Sequence, residues 1–162
     1  MLLKKYIEFD PRADAGTILL LNKNYDGIHE PYNDCHTFQL EDNLNIILTF
    51  DKIDGSNYIA DIELLDFSYM LPLKLLKLLP NDFFAYTKVD LEFIYDKIND
   101  KVILYLDDQS AIATNCIIVK KFPANSRIFL YTDNQSRLIK VEFQEPKLML
   151  PDDITNFLLN GS

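Results

Sequence analysis

The chain predicts a mainly β protein of α+β type, an antiparallel β meander of about nine or ten strands forming a curved sheet, sandwich or partly open barrel, with one internal and one C-terminal short helix. Three observations carry this. Apolar residues recur with period two through most of the sequence, the signature of strands with one buried face. Asp outnumbers Glu 18 to 7, and Asp favours turns while Glu favours helix interiors. Only one internal stretch, Leu71 to Pro80 (LPLKLLKLLP), is apolar around a helical circumference.

Lys4 to Phe9 alternates weakly and opens the sheet, and Gly16 to Leu21 is a continuous apolar run suited to a buried strand. Asn22 to Cys35 holds Gly27, Pro31 and several Asp and Asn without periodicity, so it reads as a long loop, a class that often carries function. Leu44, Ile46, Leu48 and Phe50 then alternate with polar neighbours, and Asp54-Gly55 before the run Ile59 to Phe67 signals a hairpin. In Leu71 to Pro80, Pro72 suits a first helical turn and Pro80 ends it. A helix so apolar must be buried or must dock on a partner.

The second β block starts with Val89, Leu91, Phe93 and Tyr95 alternating against Asp90, Glu92 and Asp96. Strands follow at Val102 to Leu106, Ala111 to Val119, Arg127 to Thr132 and Leu138 to Phe143, separated by turns rich in Asp, Asn and Ser. Leu104 to Ser110 resembles Leu130 to Ser136, which suggests two hairpins of similar build or convergent turn chemistry, too short a match for a repeat architecture. Pro151-Asp152-Asp153 starts a terminal helix with Ile154, Phe157 and Leu158 on its apolar face. The expected organisation is one domain over 1–162: a β block 1–67, a helical connector 70–86, a β block 87–145 and a helix 151–159.

At 162 residues such a domain buries roughly 70 % of its unfolded surface and needs no disulfide or metal to fold. The formal charge of −9 opposes nucleic-acid binding, which requires cations on phosphates. It suits solubility or encounter with a basic protein. Met1 to Asp10 lacks the apolar run of a signal peptide, and no stretch is long and apolar enough to cross a bilayer, so the expected location is cytoplasmic, with no membrane partner. Cys35 and Cys116 are then expected as reduced thiols. The glycosylation-like sequences at Asn134 and Asn160 are treated as chance.

Two sets of residues are candidates for function. Nine tyrosines and eleven phenylalanines exceed what one sheet face needs, and Tyr105, Phe129 and Tyr131 alternate opposite to Leu104, Ile128 and Leu130. Ringed by Asp107, Asp108 and Asp133, they read as a protein-binding patch, because tyrosine is large, stiff and polar at its tip. The leading expectation is a noncatalytic protein-binding module, similar in composition to small acidic inhibitors or immunity-type proteins that neutralise a basic partner. The first alternative is a small metal-binding domain or hydrolase using loop 26–36, where His29, Glu30, Cys35 and His36, beside Asp26 and Asp34, offer zinc-type ligands. Their spacing matches no established metal pattern, and adjacent residues such as Cys35 and His36 point to opposite faces of a strand. The second alternative is a β-barrel around a small apolar ligand. Carboxylate pairs at Asp61 and Glu63, and at Asp90 and Glu92, are expected on solvated faces. Four glycines in no phosphate-binding pattern give no nucleotide site, and no cofactor is expected. Homo-oligomerisation through helix 71–80 remains open.

Overall fold

A computed structural model describes residues 1–21, 35–40, 43–119 and 127–160. Ten antiparallel strands form one nearly closed, barrel-like sheet, with short helices after the fifth and tenth strands. They are β1 (Leu2–Asp10), β2 (Ala15–Leu19), β3 (Cys35–Leu40), β4 (Asn43–Ile53), β5 (Ser56–Leu64), β6 (Ala85–Asp96), β7 (Lys101–Tyr105), β8 (Asn115–Val119), β9 (Ile128–Thr132) and β10 (Leu138–Gln144). The mainly β expectation with an internal and a C-terminal helix therefore holds.

Alternation sets the two faces. Phe38, Leu48, Ile62, Ile18 and Ile7 meet across one set of ladders, Leu104, Val141, Leu130 and Ile117 across another, and both rows line the concave side. Phe67, Met70, Leu71, Leu75, Met149, Leu150 and Ile154 join them in one apolar cluster. The rings that looked surplus in the sequence are partly accounted for here, since Phe9, Phe50, Phe67, Phe93 and Phe143 are all buried. Asp54-Gly55 makes the expected two-residue hairpin loop between Ile53 and Ser56; both residues have positive φ, as a type I′ turn requires.

Strand order departs from chain order in a regular way. Reading from the centre outward, one half runs β1, β2, β5, β4, β3 and the other runs β6, β7, β10, β9, β8. The two halves share one five-strand topology, and among the described residues the β1–β6 ladder is the only strand pairing between them. Details repeat as well. Asp10 accepts the Arg12 N–H as Asp96 accepts that of Ile98, and Asp14 and Asp100 both adopt left-handed backbone. Leu20 and Leu21 donate to the Ala60 carbonyl, and Leu106 and Asp107 donate to that of Ile139. At one constant spacing, Ala60, Ile62, Glu63, Met70, Leu71 and Pro72 correspond to Ile139, Val141, Glu142, Met149, Leu150 and Pro151. Pro72 and Pro151 each open a helical turn with nearly equal backbone angles. The resemblance between Leu104 to Ser110 and Leu130 to Ser136 has another origin, because β10 stands between β7 and β9.

The expected helix over 71–80 is shortened to α2 (Leu73–Leu76), and a separate turn, α1 (Phe67–Met70), precedes it; Leu71 between them is extended because it precedes Pro72. Leu71, Leu75 and Leu79 are buried, whereas Leu73 and Leu78 are more than half exposed. The C-terminal helix keeps its expected extent but changes type: α3 (Asp152–Thr155) passes into a π-helical turn over Asn156–Asn160. Ile154 and Leu158 turn inward, while Phe157, expected on the same face, is exposed.

These closing segments interlock the halves. Arg137, at the start of β10, donates to the carbonyls of Ser68 (3.0 Å) and Leu71 (2.7 Å) in the first half's segment. Ile59 of β5 donates to Met149 of the second half's segment. Lys5, only 1 % exposed, points inward and binds Asp153 (2.7 Å) and the Leu20 carbonyl (2.9 Å). Burial lowers the Lys5 pKa, against the pull of the Asp153 carboxylate. Because the Asp153 side chain is 45 % exposed, it tolerates losing its partner, whereas Lys5 does not. Asp153→Ala should destabilise the fold by about 3 kcal/mol, and Lys5→Met should be neutral or stabilising. Urea unfolding of both variants tests this asymmetry.

Gly16 has no room for a side chain: an added Cβ would lie 2.3 Å from the Phe67 ring and 2.8 Å from the Glu8 carbonyl. Phe67 in turn stacks on Phe9 at 4.8 Å between centroids. Gly16→Ala should cost about 1–3 kcal/mol, with part of the loss recovered in Gly16→Ala/Phe67→Leu, both read from the urea midpoint.

Candidate functional site

The convex face of the second half gathers the tyrosines singled out in the sequence. Ladder register places Glu92, Tyr105, Lys140, Tyr131 and Cys116 in one row across β6, β7, β10, β9 and β8. The adjacent row is Ile94, Ile103, Glu142, Phe129 and Ile118. Tyr105, Phe129 and Tyr131 are half-buried, while Cys116 and Ile118 on edge strand β8 are exposed. Period two makes this inevitable, because Leu104, Ile128 and Leu130 point into the core.

Charged groups missed in the sequence reading organise the strip. Glu142, 5 % exposed, accepts from Lys101 at 2.7 Å and from the Tyr131 hydroxyl. Lys140 lies over the Tyr131 ring, 4.4 Å from its centroid. Burial works against the Glu142 charge, but the bonds from Lys101 and Tyr131 outweigh it and hold the carboxyl below its ordinary range. Burial and the Glu142 carboxylate push the Tyr131 phenol well up, and its hydroxyl also meets the Cys116 thiol. The signal for Glu142 and Lys140 was present, since their spacing in β10 puts both on the face opposite Val141 and Phe143.

The three aspartates surround this strip only at one end and are already engaged. Asp107 accepts the Asp108 N–H, Asp108 pairs with Lys74 at 3.3 Å, and Asp133 holds its turn through the N–H groups of Gln135 and Arg137. Their charge remains, but as contact groups they are less available than the tyrosines.

Glu63, the first-half counterpart of Glu142, titrates the opposite way. Burial and the nearby Glu8 charge raise its pKa, because the first half has Ala15 and Thr49 where the second has Lys101 and Tyr131. The neighbouring Asp61 is buried, not solvated as expected, and so is Asp51 on the same face of β4. Asp90 and Glu92 do reach solvent, paired with Lys4 and the N-terminal amine.

Of the loop residues proposed for metal, Asp26, His29, Glu30 and Asp34 lie outside the described residues. Cys35 and His36 are exposed and occupy opposite faces of β3, opposite Asp51 and Phe50 respectively. Both cysteines are free thiols. Among the described residues no three His, Cys, Asp or Glu side chains come together as a metal site, and no helix is long and apolar enough to cross a membrane. A cavity of about 180 Å³ opens beside α3, lined by Leu21, Ile53, Tyr58, Pro151, Asp152 and Asp153. Compared with protein-family models, curated protein sequences and solved structures, the chain matches none of them.

The two glutamates have opposite acid signatures. A depressed folded pKa contributes stability that is present above the unfolded value of 4.5 and lost as pH falls through the folded one. A raised folded pKa costs stability at neutral pH, and protonation relieves that cost. Glu142→Gln should lose about 2 kcal/mol at pH 7 and little at pH 3. Glu63→Gln should gain stability at pH 7 and nothing at pH 3, as urea midpoints at the two pH values will show.

Proposed function

We propose that the protein is a noncatalytic protein-binding module whose contact surface is the convex strip of β7, β10, β9 and β8. The observation that carries this reading is the row Tyr105, Lys140, Tyr131 beside Phe129 and the exposed Ile118. These rings are only half-buried and stand on a rigid sheet, and Tyr131 is held by Glu142 and Lys140, so little side-chain entropy is lost on contact.

The partner is a basic protein, neutralised or inhibited by the contact. A net charge of −9 accelerates such an encounter, and Asp107, Asp108 and Asp133 place negative charge at one end of the strip. Lys101 and Lys140 sit within the strip itself, so the partner's cations meet its acidic end and the chain's wider field, and its apolar groups meet the tyrosines. The module acts in the cytoplasm, with the apolar residues of α2 left outside the contact.

The test is capture from source-cell lysate on the immobilised protein at low salt, with stepwise salt elution. One basic protein should be retained, be released as salt rises, and bind at least about tenfold less tightly to Tyr105→Ala/Tyr131→Ala. Unchanged retention by a folded double variant sinks the assignment of this surface.

A further inference from the structure

The relation between the halves gives the cavity beside α3 a specific meaning. Its wall residue Tyr58 is the counterpart of Arg137, and Pro151, Asp152 and Asp153 are the counterparts of Pro72, Leu73 and Lys74. In the second half this place is filled by the chain itself. The Arg137 guanidinium occupies it, donating to the carbonyls of Ser68 and Leu71 just before Pro72. In the first half the arginine is replaced by tyrosine, a cavity of about 180 Å³ stands beside that tyrosine, and two carboxylates replace a leucine and a lysine. The wall is thus acidic where its counterpart carries Arg137 and Lys74.

We propose that this cavity binds a guanidinium group, at the place that corresponds to Arg137 in the other half. The Asp152 carboxylate receives its N–H groups, and the Tyr58 ring offers a π face for stacking. Asp153 is shared with Lys5, so the exposed Asp152 supplies the second negative charge. Leu21 and Ile53 line an apolar stem. The volume is similar to that of cavities known to hold a benzene-sized guest, room for a guanidinium on a short alkyl chain. A planar donor fork is favoured over an ammonium because it can pair with a carboxylate through two N–H groups and stack flat on the Tyr58 ring. The group comes either from a free small guanidine or from an arginine side chain of a protein. This site is separate from the tyrosine strip and does not depend on it.

Titration calorimetry on the intact protein decides the matter, with agmatine, Ac-Gly-Arg-Gly-NH₂, its lysine analogue and its citrulline analogue as probes. Binding in the millimolar range or tighter is expected for the first two, at least about fivefold weaker for lysine and absent for citrulline. A tighter arginine peptide assigns the source to a protein, and tighter agmatine assigns it to a free solute. Asp152→Asn, at an exposed position, should weaken binding at least about fivefold. Tyr58→Arg should abolish it while leaving Tm unchanged or raised, because the installed arginine reproduces the second half. Equal binding of citrulline, indifference to both substitutions, or no heat at about 20 mM agmatine, well above a millimolar Kd, overturns the proposal, whatever capture by the tyrosine strip shows.

Discussion

The pairing of β1 with β6 is the constraint on which the molecule depends. Among the described residues every other ladder lies within one half of the chain, so this one turns two five-stranded units into a single barrel-like sheet. Leu3 meets Leu91, Lys5 meets Val89 and Ile7 meets Thr87 across it. The N-terminal amine extends the contact to Glu92 and the Phe93 carbonyl. Burying Lys5 in this ladder creates the demand that Asp153 meets. One ladder thereby also fixes where the C-terminal segment closes the barrel.

The two halves share one plan and put their polar groups to different uses. Glu63 and Glu142 occupy matching positions, yet one is crowded by Glu8 and the other is held by Lys101 and Tyr131. Tyr58 and Arg137 differ in the same manner, one beside a cavity and the other filling the equivalent space. Matching backbone turns at Asp14 and Asp100 show a common frame carrying different side chains. Such divergence leaves Glu142 neutralised by its neighbours in the second half and Glu63 crowded by Glu8 in the first.

Much of the fold is legible in the sequence because period-two alternation is local. Asp54-Gly55 dictates a two-residue loop and so sets the register of its hairpin, and Val89 to Phe93 declares its buried face without help from its partners. Strand order is not legible, because it depends on pairings between residues far apart, such as Lys5 with Val89. The likeness of the halves is hidden for a related reason: buried positions accept any apolar residue of suitable size, so Ile62 and Val141 match in role but not in letter. At the two closing turns the identical triplet is Met-Leu-Pro, too short to stand out in the sequence. In the candidate strip, alternation suffices to find the tyrosines, but the pairing of Lys101 with Glu142 spans two strands and needs the register. The helix over 71–80 comes out shorter than its apolar run suggests because Pro72 imposes the extended conformation on Leu71.

The interlocked closing segments carry a consequence for biosynthesis. As the chain leaves the ribosome, β1 emerges long before β6, and Ile59 long before the Met149 carbonyl that receives its N–H. The first half therefore waits with an unpaired central edge and an uncovered apolar face, the state in which nascent chains attract chaperones or one another. Native closure waits for the second half and its closing segment, however early the individual hairpins form.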